Sequence, residues 1–355
     1  MPMLELVGSH GAELVAMTAD PDTGLRAIVA IDSTVLGPSL GGTRFRPFAT
    51  EEEALTDVLR LARGMTYKHA VCGNALGGGK AVIIGDPATL RSDALLRAYG
   101  AFVDRLGGRY LTAEDVGTTQ ADMDFLRTVT PFVTGASEAA GGSGDPSPAT
   151  AWGVFHAMRA VAERLWGDPS LEGRHVAVSG VGKVGGALVR HLAEAGARLT
   201  VADVRAGAAA AVAAGWGATA VPAPAIHTVD CDIFSPCALG AVLDEATIPE
   251  LRCAAVCGCA NNQLATDADG ERLAARGVLY APDYVVNAGG VINIAVELEA
   301  GGYDRDRAWA RIERIGDTLR DVFEIADRDG VTPAVAADRL ARARLDTARP
   351  AAQPS

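Results

Sequence analysis

Along the chain, short apolar runs alternate with segments in which apolar residues recur every three or four positions. This is the pattern of strands alternating with amphipathic helices. Ala81-Val82-Ile83-Ile84, His175-Val176-Ala177-Val178-Ser179 and Arg198-Leu199-Thr200-Val201-Ala202 predict buried strands, as do 109–112, 231–234, 254–257 and 278–280. Residues 7–18 and 24–32 predict two strands joined by the turn Asp20-Pro21-Asp22-Thr23-Gly24, an antiparallel start. Leu55, Val58, Leu59 and Ala62 share one face of a helix opened by Thr50, with Glu53 three residues later in the capping-box pattern. Lys68 falls at the end of that helix. Further helices are predicted over 92–106, 121–129, 149–166, 184–195, 305–328 and 331–341, and another opens near Gly289-Gly290-Val291. The fold class is α/β.

Two glycine-rich stretches, 36–44 and 76–80, interrupt this pattern and are expected to be loops. In Leu76-Gly77-Gly78-Gly79-Lys80, glycine lets another group approach the backbone closely, and Lys80 stands beside the apolar run that follows. Desolvation favours the neutral amine and so makes a lysine a base, the more so if Lys68 shares its pocket. Taken alone, the stretch also fits a plain loop with a surface lysine. Thr112-Ala113-Glu114-Asp115-Val116-Gly117 places an acid at the carboxyl end of a predicted strand, a usual active-site position in α/β sheets. Asp115 fits a cap for the following helix just as well. His69 adjoins Lys68 and is a candidate base, but neighbours on one helix do not share a face, so it is expected to point elsewhere.

Gly141-Gly142-Ser143-Gly144-Asp145-Pro146-Ser147-Pro148 is the strongest boundary signal. It divides 1–145, expected to bind substrate and carry catalysis, from 146–330, expected to be a Rossmann-type dinucleotide domain. The C-terminal helices, 331–355, are expected to pack back on the first domain, and the cleft between the domains to form the active site. Gly180-Val181-Gly182-Lys183-Val184-Gly185 is a G-x-G-x-x-G between a predicted strand and a predicted helix. Its first glycine makes the tight turn, its second lets the backbone reach a pyrophosphate, and its third lets helix and strand pack closely. Asp203 ends the next strand and would accept hydrogen bonds from the ribose hydroxyls, which selects NAD over NADP; Arg205 could instead welcome a 2′-phosphate. Later strands end in the loops Ser235-Pro236-Cys237-Ala238 and Cys259-Ala260-Asn261-Asn262, and Asn287 can present an amide to a nicotinamide or a substrate.

Composition narrows the picture. A chain of 355 residues is long for one core, which agrees with two domains. A net charge of −12 argues against nucleic acid or an anionic membrane as partner. No signal peptide is expected at 1–10, and no apolar run approaches the ~20 residues of a membrane span. Six cysteines in a chain this long do not suggest a disulfide framework, so a reducing, cytoplasmic location is expected. Cys253, Cys257 and Cys259 match no common zinc spacing and have no histidine near, so no metal is expected.

Assembled, these residues resemble the glutamate/leucine/phenylalanine/valine dehydrogenase family over about residues 24–331. The resemblance rests on Leu40-Gly41-Gly42-Thr43-Arg44, 65–68, 77–80, 112–117, 180–185, 260–264 and 286–290, and is greatest to the leucine and valine dehydrogenases. Cys259, where alanine is expected, and Val71-Cys72-Gly73-Asn74 depart from the pattern. The resemblance implies NAD-dependent oxidative deamination of an aliphatic L-amino acid by a homo-oligomer. It implies that Lys68 binds the substrate carboxylate, Lys80 activates water, and Asp115 carries a proton to and from the amine. Gly41 and Gly42 would approach the substrate, with Leu40, Met65, Ala113, Val291 and Ile294 round its side chain. Asn261 would help hold substrate and cofactor. Thr150, Asn287, Cys237 and Ala238 would join Gly180, Val181, Gly182, Lys183, Val184, Gly185 and Asp203 at the cofactor. Leu40 stands where glutamate-specific relatives carry a lysine, so an apolar pocket is expected. Phenylalanine or glutamate as substrate, and a non-catalytic NAD-binding regulator on the same fold, are the alternatives; Lys68, Lys80 and Asp115 together argue for catalysis.

Overall fold

The apolar run at 81–84 is the second half of a strand that starts at Gly77, and every residue of that strand is buried in the computed structural model. The structure describes residues 3–349. They form two units, 3–145 with 294–304 and 341–349, and 146–293 with 305–340.

The first unit is built on β1 (Leu14–Asp20), β2 (Leu25–Ser33), β3 (Ser39–Arg46), β4 (Gly77–Ile84) and β5 (Tyr110–Glu114), in the order β1-β2-β4-β3-β5. The β1–β2 and β2–β4 pairs are antiparallel, and β3 lies parallel between β4 and β5. The sheet is covered on both faces, which is why β4 is buried along its whole length and most of β2 and β3 with it. One face meets Leu95, Tyr99 and Val103 of helix Asp93–Asp104. On the other, Ile28, Ala30 and Val82 pack on Leu55, Val58, Leu59 and Ala62 of helix Glu51–Val71, the face read from their spacing. Thr50 caps that helix by accepting from the Glu53 amide, but Glu53 reaches back to the Ala49 amide, so the capping box is only half formed.

Three expectations need correction here. Residues 7–10 are not strand: they end helix Met3–His10, and Gly11 at φ 71° breaks the chain before β1. Most of each expected glycine loop is central strand, in β3 and β4. A Cβ on Gly41 would lie 1.8 Å from the Gly79 carbonyl, and one on Gly78 would lie 2.1 Å from the Thr66 nitrogen. Glycine is used there so that strand and helix backbones can close on one another.

The second unit holds six parallel strands, β6 (His175–Ser179), β7 (Arg198–Ala202), β8 (Thr219–Ala220), β9 (Ile233–Pro236), β10 (Ala255–Val256) and β11 (Leu279–Tyr280). Their order β11-β10-β9-β6-β7-β8 is that of a doubly wound dinucleotide fold, with the reversal of direction between β6 and β9. The helix expected over 305–328 is two, Arg305–Glu313 and Ile315–Asp329, and the next runs Pro333–Ala348. Residues 294–304 belong with the first unit, because Ile294 and Ala295 pack on Leu40 and Leu111, and Glu297 accepts from the Gly135 and Ser143 amides at 3.0 and 2.8 Å. Of the C-terminal stretch expected there, 331–340 stays with the second unit and 350–355 lies outside the described residues.

Candidate active site

Parallel pairing sets Thr43 of β3 opposite Ala81 of β4 and Glu114 of β5. The residues next in line are Lys80 and Asp115, and their side chains meet: Lys80 Nζ lies 2.5 Å from Asp115 Oδ2, with the side chains 10% and 18% exposed. Gly42 makes this possible, because a Cβ there would stand 2.8 Å from Asp115 Cβ and 2.6 Å from the Glu114 carbonyl. Asp115 is not the cap of the next helix; Thr119 caps Gln120–Arg127 in a full capping box with Asp122. The Asp115 amide instead donates to Thr118 Oγ1, which donates to the Thr43 carbonyl, both at 2.9 Å. Burial pushes the Asp115 carboxyl up, but the Lys80 ammonium and then the Arg44 guanidinium outweigh it and hold the group below the usual carboxylate range. An ammonium and a carboxylate in buried contact can pass a proton between them and onward to a bound molecule.

Lys68 stands half-buried on the last turn of helix Glu51–Val71. His69 turns into the core, 0% exposed, with Asn74 Nδ2 3.1 Å from its Nδ1. Burial pushes its imidazole down to about 4, so it stays neutral at physiological pH. Leu40, Ala113 and Ile294 come together in one apolar cluster with Met65 at its margin. The same cluster holds Leu76, Leu111, Ala295 and Phe132, none of which spacing alone singled out. Val291, half-buried on helix Gly289–Val296, is outside it. Gly41 and Gly42 are buried in β3, and close packing against the Gly79 and Glu114 carbonyls already requires glycine there.

In the second unit Gly180 follows β6 at φ 99°, a conformation open to glycine, and faces Ala238. A Cβ on Gly185 would lie 2.0 Å from the Gly180 carbonyl, so helix Lys183–Glu194 with Val184 in its first turn packs tightly on the loop. Gly182 alone of the three has open space where a Cβ would be, and no side chain caps the helix. This cradle fits a pyrophosphate at the helix N-terminus, where the strand order reverses. Asp203 accepts from the Val181 amide at 3.0 Å and the Arg205 amide at 2.9 Å. The Arg205 amide and then the Val181 amide hold its carboxyl below the usual range. Asn287 Nδ2 donates to Asn261 Oδ1 at 2.8 Å and to the Cys259 carbonyl at 3.1 Å, while its Oδ1 is buried without a partner. Thr150 lies against Gly290 and donates to the Pro146 carbonyl at 3.0 Å. Cys237 packs beside Gly185. Among the described residues no group of three or more acidic, histidine or cysteine side chains is placed to hold a metal, and no helix is long and apolar enough to cross a membrane.

Known families and proteins match the chain along nearly its whole length. The family model "Glu/Leu/Phe/Val dehydrogenase, dimerisation domain" matches residues 13–131, and "Glutamate/Leucine/Phenylalanine/Valine dehydrogenase" matches 141–210 and 210–351. The chain is 51% identical to the leucine dehydrogenase of Geobacillus stearothermophilus over 100% of its own length and 96% of that protein's. It is 53% identical to the valine dehydrogenase of Streptomyces virginiae, over 96% and 95% of the two chains. The crystal structure of L-tryptophan dehydrogenase from Nostoc punctiforme is 44% identical, with a TM-score of 0.86 over 97% of this chain and 99% of that one.

Proposed function

The chain belongs to the glutamate/leucine/phenylalanine/valine dehydrogenase family, and from that premise we propose that it catalyses the reversible NAD-dependent oxidative deamination of an aliphatic, branched-chain L-amino acid. It is an amino-acid dehydrogenase, an oxidoreductase. The products are the 2-oxo acid, ammonium and NADH. The observation that carries the reading is the buried Lys80–Asp115 contact at 2.5 Å, in a unit whose apolar cluster contains Leu40, Ala113 and Ile294.

Gly180, Gly182, Gly185 and Asp203 of the second unit would hold the dinucleotide, whose nicotinamide would supply the hydride acceptor. The chain's own side chains handle carboxylate, water and protons. Lys68 fixes the substrate carboxylate. Asp115, ionised at neutral pH, receives the proton of the substrate ammonium. Lys80, once its ammonium has given its proton to solvent, takes a proton as the amine from the water that attacks the imino carbon, and Asp115 returns its proton to the departing amine. Asn261 would help hold the substrate and Asn287 the nicotinamide end, and Asp203 would accept from the ribose hydroxyls, which favours NAD. Leu40, 1% exposed, leaves no charge in the side-chain pocket to pair a second carboxylate, so glutamate is rejected. The active form is a homo-oligomer, in line with the family model's dimerisation domain.

The test is an initial-rate panel of valine, leucine, phenylalanine and glutamate with NAD⁺ and with NADP⁺. Aliphatic substrates with NAD⁺ should lead, with valine at least equal to leucine. Absence of NADH formation with every aliphatic amino acid refutes the reading. Phenylalanine in the lead refutes the pocket.

A further inference from the structure

Arg44 has no part in the steps above, yet it touches the reacting pair. It lies on β3, between the strand of Lys80 and the strand that leads to Asp115. Its Nε is 3.5 Å from Asp115 Oδ2, and its Nη1 is 2.9 Å from Asp57 Oδ2 on helix Glu51–Val71. Asp57 is 8% exposed and also faces Arg60 at 3.4 Å and Arg46 at 3.8 Å. One guanidinium thus spans two largely buried carboxylates, one of which is the proton carrier. We propose that Arg44 is a positioning residue for the reaction: anchored on Asp57, it fixes the Asp115 carboxylate against Lys80 and balances the charge of that pair. The inference rests on the reading of Asp115 as proton carrier.

Geometry favours this over a surface ion pair. Arg44 Nε and Asp115 Oδ2 are both buried atoms, and at 3.5 Å they are in ionic contact without a completed hydrogen bond. The planar guanidinium can offer Nε to one acid and Nη1 to another, which an ammonium cannot do. The groups facing Asp115 are Lys80 from β4, Arg44 from β3 and the Val116 amide, with Asp57, Arg46 and Arg60 behind Arg44. Lys80, Arg44, Asp115 and Asp57 make two cations and two anions. Without Arg44 the remaining three carry a net negative charge, so the Asp115 carboxylate binds a proton more readily.

The experiment is the pH dependence of kcat and kcat/KM for deamination, with NADH binding measured by fluorescence, on wild type, Arg44→Met, Arg44→Lys and Asp115→Asn. Arg44→Met should bind NADH normally, lose about tenfold to a hundredfold in kcat, and move the acid-side limb up by about 1–3 pH units. Arg44→Lys should bring the limb back toward wild type without restoring full kcat. If Arg44→Met loses activity with its limb unmoved, the residue is merely structural and the inference fails. Full kcat in Arg44→Lys also overturns it, because charge alone would then suffice. Asp115→Asn separates the two levels. Lost turnover there leaves the proton-carrier reading standing whatever Arg44 does, whereas wild-type turnover and limb refute that reading and the inference with it.

Discussion

Replacing Gly42 by alanine should disable catalysis without touching the nucleotide site. The new Cβ would sit 2.6 Å from the Glu114 carbonyl oxygen and 2.8 Å from Asp115 Cβ. Ordinary contact of a Cβ with such atoms begins near 3.4 Å. The end of β5 must therefore retreat by about 0.6–0.8 Å, the difference between those distances, or β3 must bow by as much. Both neighbours are held: Gly42 pairs with Ala113 in the ladder, and the Asp115 amide is tied through Thr118 to the Thr43 carbonyl. Overpacking of this kind costs about 1–3 kcal/mol of stability. It also opens the 2.5 Å Lys80–Asp115 contact by a comparable distance. A misplacement near 1 Å at a reacting group costs on the order of 10² in rate. The assay is kcat for NADH formation at saturating amino acid, with NADH binding and the melting temperature measured on the same preparation. Expected are normal NADH binding, a melting temperature lower by a few degrees, and kcat down about a hundredfold. A kcat within twofold of wild type would show that the close approach at Gly42 does not set the catalytic geometry.

Lys80→Ala should lower kcat by about 10²–10⁴ with NADH binding retained, while Lys68→Ala should chiefly raise KM for the amino acid; an unchanged kcat in the first or KM in the second removes the assigned role. Ile294→Val takes one methylene from the apolar cluster and should raise the leucine-to-valine ratio of kcat/KM, within the ~1–3 kcal/mol that one methylene can supply; a constant ratio means Ile294 does not set pocket depth. His69 is driven by burial from the ordinary ~6.5 to about 4 in the native protein. Between those values the unfolded chain binds the extra proton, so stability is full above about 6.5 and falls as pH drops to about 4, by roughly 3 kcal/mol at most. Denaturant melts at pH 7 and pH 4.5 should show this loss in wild type and a smaller one in His69→Gln; equal losses would assign the acid sensitivity to other groups.

The nucleotide unit was legible because its signals are local. Gly180, Gly182 and Gly185 lie between β6 and its helix, and Asp203 follows β7, so spacing within one βαβ unit places all four. The first unit was legible only in part. Lys80 and Asp115 were found as residues, but their partnership depends on β3 lying between β4 and β5, an order no local pattern encodes. Glycine is depleted in strands, so 36–44 and 76–80 read as loops, although 39–44 and 77–80 are strand. The reason they are strand is tertiary: Thr66 closes on Gly78, and Asp115 closes on Gly42. The apolar cluster shows the same limit. Leu40, Ala113 and Ile294 were named through family resemblance, whereas Leu76, Leu111 and Phe132 join them only once the strands are assembled. Residues 294–304 lie within a span that sequence order assigns to the nucleotide domain, and only their packing and the Glu297 hydrogen bonds place them in the other unit.

The charged group round Lys80 is costly, and the way its cost is offset ties stability to catalysis. Lys80 is 8% exposed in a strand whose other residues are glycine or aliphatic. Such an ammonium persists only when paired, and removing one partner of a buried pair typically costs about 3–5 kcal/mol. Asp115 supplies the charge, and a second layer supplies the geometry. Thr43 Oγ1 bonds Thr112 Oγ1 at 2.6 Å and also the Tyr99 hydroxyl, and Tyr110 donates to the Gly41 carbonyl at 2.6 Å. All four hydroxyl-bearing residues are fully buried, so every bond among them resists any shift of β3 against β5. An apolar replacement of both Lys80 and Asp115 would remove the desolvation penalty and need not destabilise the fold. Stability alone therefore does not account for the pair. On the proposed mechanism its worth is in the reaction, where a base and a proton carrier must keep a fixed separation while protons move beside them.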